Sequence, residues 1–144
     1  MRSPAPSPAG LAIVVCDQII EDKRTNKKSL IGIFNQIAAG EFPCRHPQLA
    51  VFVSVTEGRG RYPVRLRMAH EETAETVVDV NGELELTDVN MVAELGFDLL
   101  GVVFPKPGLY SIEFYCDDAL ILERRFHVAQ VELPPQQSPP AEEL

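Results

Sequence analysis

A chain of 144 residues with 45% hydrophobic and 24% charged content carries apolar material for one packed domain, and two cores do not fit comfortably. Its formal net charge of −8 sets a long-range repulsion toward nucleic acid, and no apolar run approaches the ~20 residues of a membrane-spanning helix. Three cysteines, Cys16, Cys44 and Cys116, without Cys-x-x-Cys spacing suit a reducing compartment better than a disulfide framework.

Residues 1–10 are proline-rich and are expected to form an extended N-terminal tail. They carry one early basic residue, and the apolar run Leu11 to Val15 is short for a signal-peptide core. Bulky Val15 also stands where acylation of Cys16 would need a small residue, so the expected location is the cytoplasm. Leu11, Ile13 and Val15 oppose Ala12, Val14 and Cys16, which predicts a strand apolar on both faces and set inside a sheet. The polar stretch Glu21 to Lys28 contains a Thr25-Asn26 turn. It leads to a predicted strand over Ser29 to Ile37 with Ile31, Ile33 and Ile37 on one face, completing a hairpin.

Next come Leu49, Val51, Val53 and Val55, then Gly58-Arg59-Gly60, then Tyr62, Val64, Leu66 and Met68 alternating with Arg65 and Arg67. This pattern predicts a second hairpin. His70 to Glu75 could start a helical turn, Val77, Val78 and Val80 favour strand, and Asn81-Gly82 is a turn signal before Leu84 and Leu86. Met91, Ala93, Leu95, Phe97 and Leu99 give another half-buried strand. Pro107-Gly108 then opens a closing ribbon, with Tyr110, Ile112 and Phe114 as core, a turn at Asp117-Asp118, and Leu122, Phe126 and Val128 on the second arm. The fold class expected is all-β, a single immunoglobulin-like antiparallel β-sandwich of about seven to nine strands over residues 11–131, with a barrel as the alternative. No Cys stands two residues after Tyr110, so the inter-sheet disulfide of secreted immunoglobulin domains is not implied. Residues 132–144 form a Pro-rich C-terminal tail, read as a solvated polyproline-like end before a Pro-x-x-Pro ligand.

Several blocks together resemble an uncharacterised bacterial family catalogued as a domain of unknown function. They are Cys16-Asp17-Gln18-Ile19-Ile20 with Thr25, Lys28-Ser29-Leu30-Ile31-Gly32-Ile33-Phe34, Phe42-Pro43 with His46-Pro47, Gly58-Arg59-Gly60 with Tyr62 and Val64, and Phe104-Pro105 with Pro107-Gly108 and Tyr110. The resemblance spans most of residues 11–131 and implies a compact bacterial β domain. It brings no activity, cofactor or catalytic residue.

Tests for chemistry return little. Cys44 and His46 are two ligands where a closed zinc site needs four. Asp17, Asp22, Asp88, Asp117 and Asp118 show no calcium-loop spacing, and read better as solvated turns. Ser29 lacks a Gly-x-Ser-x-Gly setting, His46, His70 and His127 have no local motif, and Glu83 with Glu85 reads as a solvated face. No phosphate loop, dinucleotide fingerprint or other cofactor motif is present, and the chain is read as a non-enzyme.

Charge distribution is the sharper signal: residues 1–70 carry +5 and residues 71–144 carry −13. The basic positions fall on Lys23, Arg24, Lys27 and Lys28 in the first turn and on Arg59, Arg61, Arg65 and Arg67 around the second hairpin. Strands from the two halves could interleave and pair these charges internally. Left free, they form an interaction surface. The expected function is therefore a non-catalytic binding module for an unknown protein partner or a second copy of the chain, without cofactor, metal or membrane. Polyanion binding is the first alternative, weakened by the absence of aromatic rings among the arginines other than Tyr62, and an enzyme with an unrecognised site is the second.

Overall fold

The computed structural model describes residues 7–132; the expected tails over residues 1–6 and 133–144 lie outside them, while Ala9 and Gly10, expected in the N-terminal tail, open the first strand by pairing with Thr56 and Val55. The described residues form nine strands and no helix: β1 (Ala9–Glu21), β2 (Lys28–Ile33), β3 (Gln36–Ala39), β4 (Cys44–Thr56), β5 (Gly60–His70), β6 (Thr76–Leu86), β7 (Ala93–Phe104), β8 (Gly108–Cys116) and β9 (Ala119–Gln130). They make two sheets, ordered β2-β1-β4-β7 and β3-β9-β8-β5-β6. This is the expected immunoglobulin-like sandwich. One pairing departs from antiparallel: β3 runs parallel to β9, because the chain crosses from one sheet to the other at Phe34-Asn35 and continues in the same direction.

The core follows from period-two alternation. Val51, Val53 and Val55 of β4 face Leu66 and Met68 of β5 and Ile112 and Phe114 of β8, all fully buried or nearly so. In β4 and β7 the alternation changes phase at one place, Pro47-Gln48 opposite Leu100-Gly101, where Gly101 has φ of 62°. Leu99 and Val102 both point inward there, and Leu100 is left 75% exposed.

Three local expectations are corrected. Ser29 to Ile37 is not one strand: β2 and β3 belong to different sheets, Ile37 is buried, and Ile31 and Ile33 are exposed. The β4 and β5 segments do not form a hairpin but lie in opposite sheets, joined by a crossing at Glu57 to Arg59. Here the Tyr62 hydroxyl accepts from the Arg59 N–H and donates to the Arg59 carbonyl, both at 2.8 Å, which holds the corner. Asn81-Gly82 is no turn, since β6 runs straight through it with Asn81 opposite Arg65 and Gly82 opposite Val64.

The closing ribbon forms as read, with Asp117 and Asp118 both at positive φ (54° and 67°), the backbone a two-residue hairpin turn requires. Residues 70–75 make the β5–β6 turn. The His70 Nδ1 accepts the backbone N–H groups of Glu72 and Thr73, both at 3.2 Å, so the proton sits on Nε2, which donates to the Pro107 carbonyl at 3.0 Å. Gly108, at φ of 136°, leaves room for this ring: a Cβ there would stand 2.6 Å from His70 Nε2.

Candidate interaction surface

The first basic cluster sits on a locally fixed turn. The Asp22 carboxylate accepts the N–H groups of Arg24 (2.7 Å) and Thr25 (3.1 Å), the Asn26 N–H donates to the Asp22 carbonyl, and the Asp22 N–H donates to the Lys27 carbonyl. Asn26 takes φ of 60°, a conformation its short amide side chain tolerates. Self-bonding of this kind leaves the long side chains outside the turn. Lys23, Arg24 and Lys27 are exposed and make no ion pair among the described residues. Lys28 differs, its ammonium lying 3.2 Å from Glu21 and 3.8 Å from Glu94.

That second contact reveals how the hairpin lies. Three strand spacings, about 14 Å, separate β2 from β7 within the sheet, so Lys28 can meet Glu94 only from above it. Ile19 does the same over Gly96, where a Cβ would stand 3.1 Å from Ile19 Cδ1. The distal half of the β1–β2 hairpin therefore folds back as a strap across the outer face of its own sheet. Ile19, Leu30 and Lys28 face down, half-buried; Ile20 and Ile31 face solvent. The strap accounts for the full burial of Cys16 and Ala50 on a face that would otherwise be wet.

At the bend lies an open cleft of about 440 Å³ lined by Asp17, Gly32, Ile33, Phe34, Gln36, Ile37, Ala38 and His46. Its floor is aromatic: Phe34 rests edge-on against Phe126 at 5.7 Å and tilts against His46 at 5.8 Å. The strap and cleft were missed by sequence reasoning because Ile31 and Ile33 continue the period of Ile37, and periodicity cannot tell which sheet a face will meet. The signal available was Phe34-Asn35, a break in the alternation.

The second basic cluster is on β5 and is largely neutralised by the acidic half of the chain. Arg61 bonds Glu83 (3.2 Å) and Glu85 (3.0 Å); Arg65 grips Asp79 through two 2.8 Å hydrogen bonds; Arg67 bonds Glu113 at 3.1 Å. Only Arg59 of this group makes no ion pair among the described residues. The Arg65 guanidinium holds the Asp79 carboxyl below the usual carboxylate range. A hydrogen bond to Glu113, followed by burial, pushes the Tyr115 phenol up. A concavity of about 470 Å³ over β5, β8 and β9 is lined by Arg67, Glu71, Glu113, Glu123 and Arg125, with Arg67 bonded to Glu113 and Arg125 to Glu71.

Elsewhere the groups that chemistry would need stay apart. Cys16 and Cys116 are buried, and burial raises both thiols, Cys116 to about 11. His70 is committed to its turn, and His127 is exposed on β9. Among the described residues no group of three His, Cys, Asp or Glu side chains could hold a metal ion, and no helix is long and apolar enough to cross a membrane.

Among solved structures the chain is similar to beta-glucosidase from Listeria innocua in complex with isofagomine, at 10% identity and a TM-score of 0.45, covering 89% of this chain and 17% of that one. Beta-glucosidase 3B from Thermotoga neapolitana in complex with alpha-D-glucose gives 11% identity and a TM-score of 0.49, covering 87% of this chain and 16% of that one. For beta-glucosidase from Kluyveromyces marxianus the values are 14% and 0.43, with 75% and 16% covered. The chain spans less than a fifth of the length of each of these enzymes. No curated protein matches it. Residues 11–129 match a family described as a family of unknown function (DUF6941), the span of the whole sandwich, and the chain belongs to that family.

Proposed function

We propose that this domain is a non-catalytic protein-interaction module whose contact surface is the β1–β2 strap. The observation that carries this reading is the contrast between the two basic clusters. Arg61, Arg65 and Arg67 are occupied by Glu83, Glu85, Asp79 and Glu113, whereas Lys23, Arg24 and Lys27, on a turn fixed by Asp22, make no ion pair among the described residues. Exposed charge on a rigid tip steers and orients a partner more than it stabilises the fold. Beside it, Ile20, Ile31 and Ile33 are 42%, 44% and 58% exposed, an apolar strip that a partner would cover. Among the described residues β2 is also the outermost strand of its sheet and bonds β1 alone, so its far edge offers groups for pairing.

The test is a crosslinked pull-down with quantitative mass spectrometry, comparing the wild type with a Lys23→Glu, Arg24→Glu, Lys27→Glu variant. The expected result is a partner lost from the variant, with crosslinks at Lys23 or Lys27 in the wild type. An identical partner set from both proteins would end the proposal. Salt-sensitive retention on heparin, abolished in the same variant, would instead assign the tip to polyanions.

A further inference from the structure

Resting on that reading, we infer that the strap binds an extended acidic segment of a partner protein, which adds antiparallel to the free edge of β2 and seats an apolar side chain in the cleft at the bend. Three features, on β2 and at its two ends, carry this. The open cleft of about 440 Å³ at one end of β2 presents Ile33, Phe34, Ile37 and Ala38 beside Asp17, Gln36 and His46, room for one apolar side chain with a polar rim. Lys23, Arg24 and Lys27, which make no ion pair among the described residues, stand at the other end, complementary to carboxylates. Between them runs an exposed edge whose N–H and C=O groups face away from β1.

The spacing is specific. Ile33 and Lys27 are six residues apart, which at about 3.3 Å per residue places the cleft roughly 20 Å from the tip. A single strand bridges that span with six to eight residues. Antiparallel addition, the pattern already used by β1, β2, β4 and β7, puts the apolar anchor N-terminal and the carboxylates C-terminal. Main-chain bonds along β2 hold any sequence; the two ends select. A second copy of this chain is a poorer occupant of the edge through β6, whose Asp79, Glu83 and Glu85 already answer β5 arginines.

The experiment is selection of a phage-displayed library of random twelve-residue peptides on the full chain, counter-selected on the Lys23→Glu, Arg24→Glu, Lys27→Glu variant. Enriched peptides are expected to carry an apolar residue followed six to eight positions later by Asp or Glu. The affinity of a synthetic enriched peptide should fall tenfold or more for Ile33→Asp, for Ala38→Glu and for the charge reversal, and equally when alternate peptide nitrogens are methylated. Ile33 and Ala38 are exposed, so both variants keep the fold, which circular dichroism verifies. Absence of enrichment, the reverse order of anchor and acid, or binding indifferent to N-methylation and to Ile33→Asp would overturn the inference. So would pelleting with phosphatidylserine vesicles that is lost in the same variants. If the pull-down partner still depends on the tip cations while no peptide is selected, the strap engages a folded surface; the interaction reading then stands and this inference falls.

Discussion

The Tyr110 hydroxyl donates to the Lys106 carbonyl at 2.6 Å from a side chain that is itself fully buried, the corner that immunoglobulin-like sandwiches use where a strand enters the core. Tyr110→Phe leaves the packing intact and orphans a carbonyl, so chemical denaturation should show a loss of about 1–2 kcal/mol. This corner was legible in Pro107-Gly108-x-Tyr110, because a φ of 136° and a buried phenol are demanded by particular residue types. The Arg65–Asp79 pair was not legible as a pair, since Asp79 lies one step diagonal to the Arg65–Asn81 register that no sequence pattern fixes. Its pH dependence has a definite sign. Asp79 titrates below its unfolded value of about 3.9, so it favours the folded state above that pH and loses the advantage as pH falls through the lowered value. Carboxyl NMR should show the depressed titration, and Arg65→Gln should return it toward the ordinary range.

At the scale of the element, the strap depends on a missing side chain. Gly96 lets Ile19 descend onto β7, and a Cβ at 3.1 Å already crowds it. Gly96→Val should lift the strap while the two sheets stay folded, read as faster limited proteolysis between residues 17 and 33 with little change in the thermal midpoint. A midpoint that falls with no change in proteolysis would mean that Gly96 serves sheet packing instead. The existence of β1, β4, β5, β7, β8 and β9 was readable from alternation. Their partners were less so: Gly58-Arg59-Gly60 looks like a hairpin turn, yet Tyr62 pins it as a corner between sheets, and Asn81-Gly82 is overruled by pairing along β6. Turn chemistry describes what a short stretch tolerates, and long-range pairing decides whether the chain uses that tolerance.

For the molecule as a whole, the charge imbalance between the two halves of the sequence is answered in part by topology, which lays basic β5 between acidic β6 and Glu113 of β8. The sheets are joined at their other side by Arg124, whose guanidinium donates to the Ile13 carbonyl at 3.0 Å and to Asn35 Oδ1 at 2.6 and 3.1 Å. Lys23, Arg24 and Lys27, gathered on one turn, make no ion pair among the described residues, a grouping invisible to a count by sequence halves.

Cys16 is shielded by the strap and stands apart from the main core, whereas Cys116 is packed between the sheets. The two thiols are therefore independent clocks. Labelling of Cys16 by a thiol reagent should time the lifting of the strap, and labelling of Cys116 should time the opening of the sandwich. With half-buried Cys44 replaced by Ser, Cys16 is expected to react before Cys116, to quicken in Gly96→Val, and to slow when a partner lies along β2. Equal rates at both sites in every variant would show that strap and sandwich open as one unit.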